Sequence, residues 1–243
     1  GRSSGRETIG RVAAGAVAVK LLGQLGIELY AYASAIGGIA MDRDSFNLEE
    51  RDNNPFAMPD AGAALKIKEY ADRKLEECNS MGGIIECVVK NMPAGIGEPV
   101  FDKLDANLAK AIMSIGAVKG VEIGDGFAAA DSTGLENNDA FRMKDGHIVK
   151  QTNHAGGILG GMSDGSDIIL RAAVKPTPSI AATQHTVSKT GEEIDISIHG
   201  RHDPMIVPRA VVVVEAMTAV TLVDMLFMGM TSRLDRIADF YKR

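Results

Sequence analysis

Residues 206–230 read IVPRAVVVVEAMTAVTLVDMLFMGM, and the fold turns on whether this run is a membrane span or a core helix. It is long and apolar enough to cross a bilayer, yet Arg209, Glu215 and Asp224 interrupt it. Each would cost about 2.5–3.5 kcal/mol at mid-bilayer. The run therefore reads as a helix buried inside a soluble protein, and its first turn becomes the chemically interesting end. Free N–H groups and the positive end of the helix dipole collect there, a setting that holds anions.

Immediately before that turn stands Gly200-Arg201-His202-Asp203-Pro204, which sets a cation, an imidazole and a carboxylate side by side. Arg201 and a helix start together would keep Asp203 ionised and fit for proton chemistry. The plainer role for Asp203 is the N-cap of the helix, and the two are compatible.

Working outward, the rest of the chain alternates strands and helices. Ser4 followed by Glu7 is a capping-box pattern, and Ile9, Val12, Ala13, Ala16, Val17 and Leu21 continue at helical spacing, so a helix is expected over 6–23. Strands are expected over 27–36, 83–89, 118–123, 167–174 and 193–199, with a short one at 147–151. Helices are expected over 63–78, started by Asp60, and over 101–115. The Asn-rich stretch 41–59 reads as an exposed excursion, 124–165 as a loop-dominated, ligand-facing region, and the charged tail from Ser232 as exposed. Gly1-Arg2-Ser3-Ser4 leading into a helix with Arg11 echoes Gly200-Arg201 leading into one with Arg209, which points to a duplicated unit. The class is α/β or α+β.

The 243 residues carry a formal charge of −6 and 45% hydrophobic residues, enough for a substantial core. Net acidity argues against nucleic acid or an anionic membrane as the main partner. Cys78 and Cys87 are the only cysteines, with no second pair and no nearby His at ligand spacing, so neither a disulfide framework nor a zinc site is indicated and a cytoplasmic setting fits.

Three further segments bear on chemistry. Gly156-Gly157-Ile158-Leu159-Gly160-Gly161 allows close backbone approach to a flat ligand or phosphate, or else a tight turn against a strand. Lys175-Pro176-Thr177-Pro178-Ser179 offers a cation and hydroxyls on a stiff, extended segment, or an ordinary strand exit. Gly95-Ile96-Gly97 lacks the third glycine of a dinucleotide fingerprint and reads as a turn. Asp125, Asp131, Glu136 and Asp139 show no metal-site spacing and read as solvated carboxylates. His147, His185 and His199 read as structural or solvated. His154 and His202 lie inside motifs, without an obvious nucleophile partner.

Taken together, the motifs resemble those of chorismate synthase. Gly1-Arg2-Ser3-Ser4-Gly5-Arg6-Glu7-Thr8 is similar to that family's G-R-S-S-A-R-E-T signature. Gly200-Arg201-His202-Asp203-Pro204, with Pro208-Arg209-Ala210 and Glu215-Ala216-Met217, is similar to its C-terminal signature. Lys119 to Phe127, Asn153 to Gly161 and Lys175 to Ser179 follow in the family's order, so the resemblance covers essentially the whole chain.

The resemblance implies an α+β fold, a sandwich of antiparallel sheets around central helices with an internal pseudo-repeat, in a single domain over 1–243. It implies elimination of phosphate from 5-enolpyruvylshikimate 3-phosphate to give chorismate, with reduced FMN, in a homotetramer. Some members also reduce their own flavin with NADPH. By motif matching, Arg2, Ser3, Ser4, Gly116, Ala117, Gly160, Lys175, Pro176, Thr177, Pro178, Ser179 and Arg201 would contact FMN, and Asp203 would act at flavin N5.

The family's G-E-S-H-G and R-P-G-H segments, which carry its two catalytic histidines, do not occur in this sequence. An N-terminal part is therefore expected to be missing and the chain alone to be inactive. His202 is not a replacement for either histidine. The competing class is a flavin- or phosphate-binding module without catalysis.

Overall fold

The computed structural model describes residues 4–198 and 203–242. A 3-10 turn at Gly5–Glu7 leads into α1 (Thr8–Gln24), followed by β1 (Glu28–Ile36) and β2 (Ile39–Ala40). After a 3-10 turn come α2 (Glu50–Asn53), α3 (Ala61–Glu76), β3 (Gly83–Lys90), α4 (Leu104–Met113) and β4 (Val118–Ile123). The middle region holds α5 (Gly134–Asn137), β5 (Phe141–Lys144), β6 (His147–Lys150), β7 (Ile158–Leu159) and β8 (Met162–Ser163). The chain then runs through β9 (Ile168–Val174), β10 (Gln184–Val187), β11 (Glu193–Ile196), α6 (Val207–Met230) and α7 (Leu234–Tyr241).

The main sheet has the order β2-β1-β3-β9-β4, and among the described residues three two-stranded hairpins make up the other strands. Its pairings are antiparallel. Gly37 N–H donates to Gly82 O at 2.9 Å while the Ser34 hydroxyl reaches Ile84 O, so β1 and β3 run oppositely. Lys90 pairs with Asp167 and Arg171 with Glu86, which fixes β9 against β3. Arg171 also meets Glu122, and Gly124 N–H donates to Ile169 O, which sets β4. This is the α+β architecture of helices with antiparallel sheet expected above.

The chain forms two compact units. The first takes the described residues up to 31, then 86–172 and those from 212; the second takes 32–85 and the described residues of 173–211. Strands β1, β3 and β9 and helix α6 each supply residues to both.

In the first unit, Leu22, Leu104, Leu108, Ile112 and Leu222 are fully buried. Helices α1 and α6 meet so closely that a Cβ on Gly15 would lie 2.3 Å from Ala216 Cβ. A glycine is required at that crossing because no side chain fits. Glu215, one of the three charges interrupting the apolar run, accepts the Ala31 N–H at 2.9 Å, so it enters the interior with a donor supplied.

In the second unit, Ile36, Met58, Ile67, Ile85 and Val207 are buried. Asp60 starts α3 as expected: its Oδ1 accepts from Gly62 N and Ala63 N at 2.8 and 3.0 Å, and its Oδ2 from Asp42 N at 2.9 Å. The stretch before it departs from the expected exposed excursion. Met58 and Phe56 are buried, because the Asn54 amide donates to Glu50 O and Met58 O and accepts from Phe56 N and Met58 N, folding the segment inward.

The tail beyond Ser232 is exposed as expected, and within it residues 234–241 form α7, none of them buried. Strand β10 and hairpin strand β5 were not expected; each is four residues long and almost wholly exposed, too short for a period to stand out.

Candidate functional site

The expected site residues fall into two groups, one in each unit. In the first unit the anchor is Ser4, which has extended backbone and caps the opening 3-10 turn through Oγ, accepting from Arg6 N at 3.3 Å. The Glu7 carboxylate pairs with Arg11 at 2.9 Å. Arg11 in turn donates to Ser114 Oγ at 2.6 Å and Ser114 O at 3.2 Å, binding the start of α1 to the C-terminal cap of α4.

The turn that follows Ser114 carries Gly116 and Ala117. Ala117 has φ 72°, a left-handed conformation that strains a residue with a Cβ. A Cβ on Gly116 would meet nothing within 4 Å, so the backbone there faces open space. Arg11 thus ties Glu7, in the turn that Ser4 caps, to the residue from which the Gly116–Ala117 turn departs, a role the sequence signalled only through its position in the helix.

The glycine-rich segment 156–161 answers to both of its readings. Gly156 and Gly157 are packing glycines: added Cβ atoms would lie 2.2 Å from Gly124 N and 2.6 Å from Asp167 O. Gly160, in the turn between β7 and β8 with φ 59°, has nothing within 4 Å. Leu104 N–H donates to Gly161 O at 2.8 Å, so this turn stands at the start of α4. Gly116 stands past its end, and a helix of 10 residues separates them by about 15 Å.

The segment before the glycines is more ordered than solvated loop carboxylates would be. Asp139 is buried, and its carboxylate accepts from His154 N at 2.7 Å, Ala155 N at 3.0 Å and Thr152 Oγ1 at 2.8 Å. Burial opposes ionisation, but those donors and the Lys150 ammonium together hold its carboxyl below the usual range. His154 does have a partner: its Nδ1 lies 2.6 Å from Asp125 Oδ2. Glu136 is spent on a capping box with Thr133. Among the described residues, no group of three or more His, Cys, Asp or Glu side chains is placed to hold a metal ion.

In the second unit, the Pro-rich exit of β9 and the turn at Asp203 are stitched to one short connection, residues 79–82. Ser80 Oγ donates to Thr177 O at 2.6 Å, and Met81 N–H donates to Pro204 O at 2.8 Å. A cavity of about 130 Å³ lies between, lined by Cys78, Ser80, Ser179, Asp203 and Pro204 among others. Sequence reading passed over Ser80; its only signal is the Asn-Ser-Met-Gly-Gly turn between a helix and a strand. Lys175 is exposed. Thr177 Oγ1 is buried with no hydrogen-bond partner among the described residues, an orphan hydroxyl beside the cavity-lining segment.

Among the described residues, Asp203 is ion-paired with Arg209, in the first turns of α6. Arg2, Ser3, Arg201 and the histidines His199 and His202 lie outside the described residues.

The chorismate synthase family model matches residues 1–227. The chain is 66% identical over 243 residues to chorismate synthase of Lachnospira eligens, covering all of this chain and 66% of that protein. It is 65% identical to that of Agathobacter rectalis with the same coverage, and 53% identical over 237 residues to that of Archaeoglobus fulgidus, covering 96% of this chain and 66% of the relative. A crystal structure of chorismate synthase superposes with TM-score 0.77 at 30% identity, covering 99% of this chain and 68% of that one. The chain thus spans slightly less than two thirds of these curated relatives, and across that span its motifs, fold and sequence agree with theirs: it belongs to the chorismate synthase family.

Proposed function

We propose that the protein carries out the chorismate synthase reaction, elimination of phosphate from 5-enolpyruvylshikimate 3-phosphate to give chorismate, in aromatic amino-acid biosynthesis. The observation that carries this reading is the shared cavity of Ser179 and Asp203, which joins the Pro-rich segment to the carboxylate expected to handle a proton. Asp203 is ion-paired with Arg209 at the start of α6, so its carboxylate is held in place beside that cavity.

Reduced FMN is the proposed cofactor, and the residues fit a flat anionic group. Thr177 keeps a hydroxyl without a partner, and the backbone at Gly116 and Gly160 is open. Ser4, Ala117, Lys175, Pro176, Pro178 and Ser179, with Arg2, Ser3 and Arg201, complete the proposed FMN contacts. When bound, the reduced flavin supplies electron density to a reaction with no net redox change. The chain's own part is to orient the phosphate-bearing ligands through helix starts and Lys175, and to hold or move a proton at the Asp203 carboxylate.

A cytoplasmic homotetramer without nucleic-acid or membrane partners is proposed with this activity. So is a single domain over 1–243, which rests on the four elements that supply residues to both units.

The test is a chimera in which residues 1–243 replace the matching segment of the Lachnospira eligens enzyme, assayed anaerobically with reduced FMN for phosphate and chorismate. Turnover that falls by about 10²-fold or more on Asp203→Asn, with flavin still bound, supports the reading. A chimera that binds flavin without turnover sinks it in favour of a binding module.

A further inference from the structure

A buried ionic cluster lies beneath the glycine-rich segment, and nothing in the proposed chemistry uses it. Lys150, the last residue of β6, has a side chain only 5% exposed, with the Asp139 and Asp164 carboxylates 3.6 and 2.5 Å from its ammonium. The two carboxylates are themselves almost wholly buried, so three ionic groups have left water together. Such a cluster is a doubtful source of net stability, because desolvation offsets most of the attraction. Its geometry suits it to holding a fixed arrangement.

That arrangement spans both ends of one loop. On one side Asp139 receives two consecutive amides, His154 N–H and Ala155 N–H, together with the Thr152 hydroxyl. On the other, Asp164 accepts from Ser166 N at 2.9 Å and donates its own N–H to Gly157 O at 3.0 Å. Among the described residues, Lys150 is the group that touches both carboxylates. Between them run His154, whose ring is turned by Asp125, and the turn carrying Gly160.

We infer that Lys150 is a positioning residue: its buried ammonium draws Asp139 and Asp164 together and thereby presets the 152–164 loop for the ligand that Gly160 faces. The link to a ligand rests on the proposed flavin reading; the brace itself does not. A free loop with four glycines would lose considerable conformational entropy on binding, and a loop fixed beforehand loses little.

Amide hydrogen exchange on the 243-residue chain, without flavin, reads the brace directly. In Lys150→Met, exchange at His154, Ala155 and Gly157 rises by about tenfold or more, since two buried carboxylates then face each other without a cation. Lys150→Arg restores most of the protection. Asp164→Asn guards against a Lys150→Met chain that fails to fold: it leaves the Lys150–Asp139 pair intact and loosens the Gly157–Ser166 end alone.

Reduced-FMN affinity of the same variants, in the chimera, reads the positioning role. It drops by about tenfold in Lys150→Met and returns in Lys150→Arg. Unchanged exchange overturns the brace. Faster exchange with unchanged flavin affinity overturns the positioning role. If the parent chimera binds no flavin, the proposed function fails, and the exchange result alone decides the brace.

Discussion

Arg209 is ion-paired with Asp203 across the start of α6. The arginine side chain is 68% exposed, so the pair is worth only about 0–1 kcal/mol to folding. Arg209→Gln should therefore leave the urea midpoint of the chain nearly unchanged. In the chimera it should lower turnover well beyond that, with Arg209→Lys intermediate. Equal losses in stability and turnover would show that the pair is merely structural.

Gly15 and Ala216 define the α1–α6 crossing, and helix propensity alone misjudges it. Alanine in a helix is favoured over glycine by about 1 kcal/mol. Here the new methyl would sit 2.3 Å from Ala216 Cβ and 2.6 Å from its Cα, and overpacking of this kind costs about 1–3 kcal/mol. Gly15→Ala should lower the unfolding free energy, and Ala216→Gly in the same chain should recover part of the loss. Denaturant titration of the two single variants and the double variant checks both signs.

Asp60 makes stability depend on acidity. The amides of Asp42, Ala63 and Gly62 hold its carboxyl below the usual range, against the opposing effect of burial. A depressed folded pKa means that its contribution is complete above the unfolded value, about 3.9, and disappears as pH falls through the folded one. Asp60→Ala should cost about 1–2 kcal/mol at neutral pH through loss of the helix cap. Thermal melts of this variant should also show a shallower loss of stability below pH 4 than the parent.

The two cysteines should differ sharply toward a thiol reagent. Cys78 is exposed, whereas Cys87 is fully buried, and burial pushes its thiol up to about 12 despite a hydrogen bond with Thr218. One equivalent of a disulfide reagent should react promptly at neutral pH and the second only on unfolding. Two fast equivalents would contradict the packing around β3.

The parts of the fold that were legible are those with a local signature. Strand β4 falls at 118–123 as expected, and α3 begins at Asp60, because apolar spacing and a capping carboxylate are written in adjacent residues. Buried Met58 was not legible, since the cause is the Asn54 amide four residues away, bonding to main-chain groups. Asp139 was misread for the same reason. Nothing near it in sequence announces that Thr152, His154 and Ala155 would converge on it with Lys150. At the site, motif resemblance pointed to residues such as Ser179 and Asp203, but their shared cavity depends on Ser80, which lies far from both in the chain.

The order β2-β1-β3-β9-β4 has a consequence for synthesis of the chain. Strand β9 sits between β3 and β4, yet it follows β4 in sequence by more than forty residues. Until residue 174 has left the ribosome, β3 and β4 each present a bare edge able to pair with another chain. The long-range closure that fills the gap is slow by nature. A nascent protein arrested within the glycine-rich region would thus be the species most prone to aggregate, and a chaperone that shields strand edges would matter most during that interval.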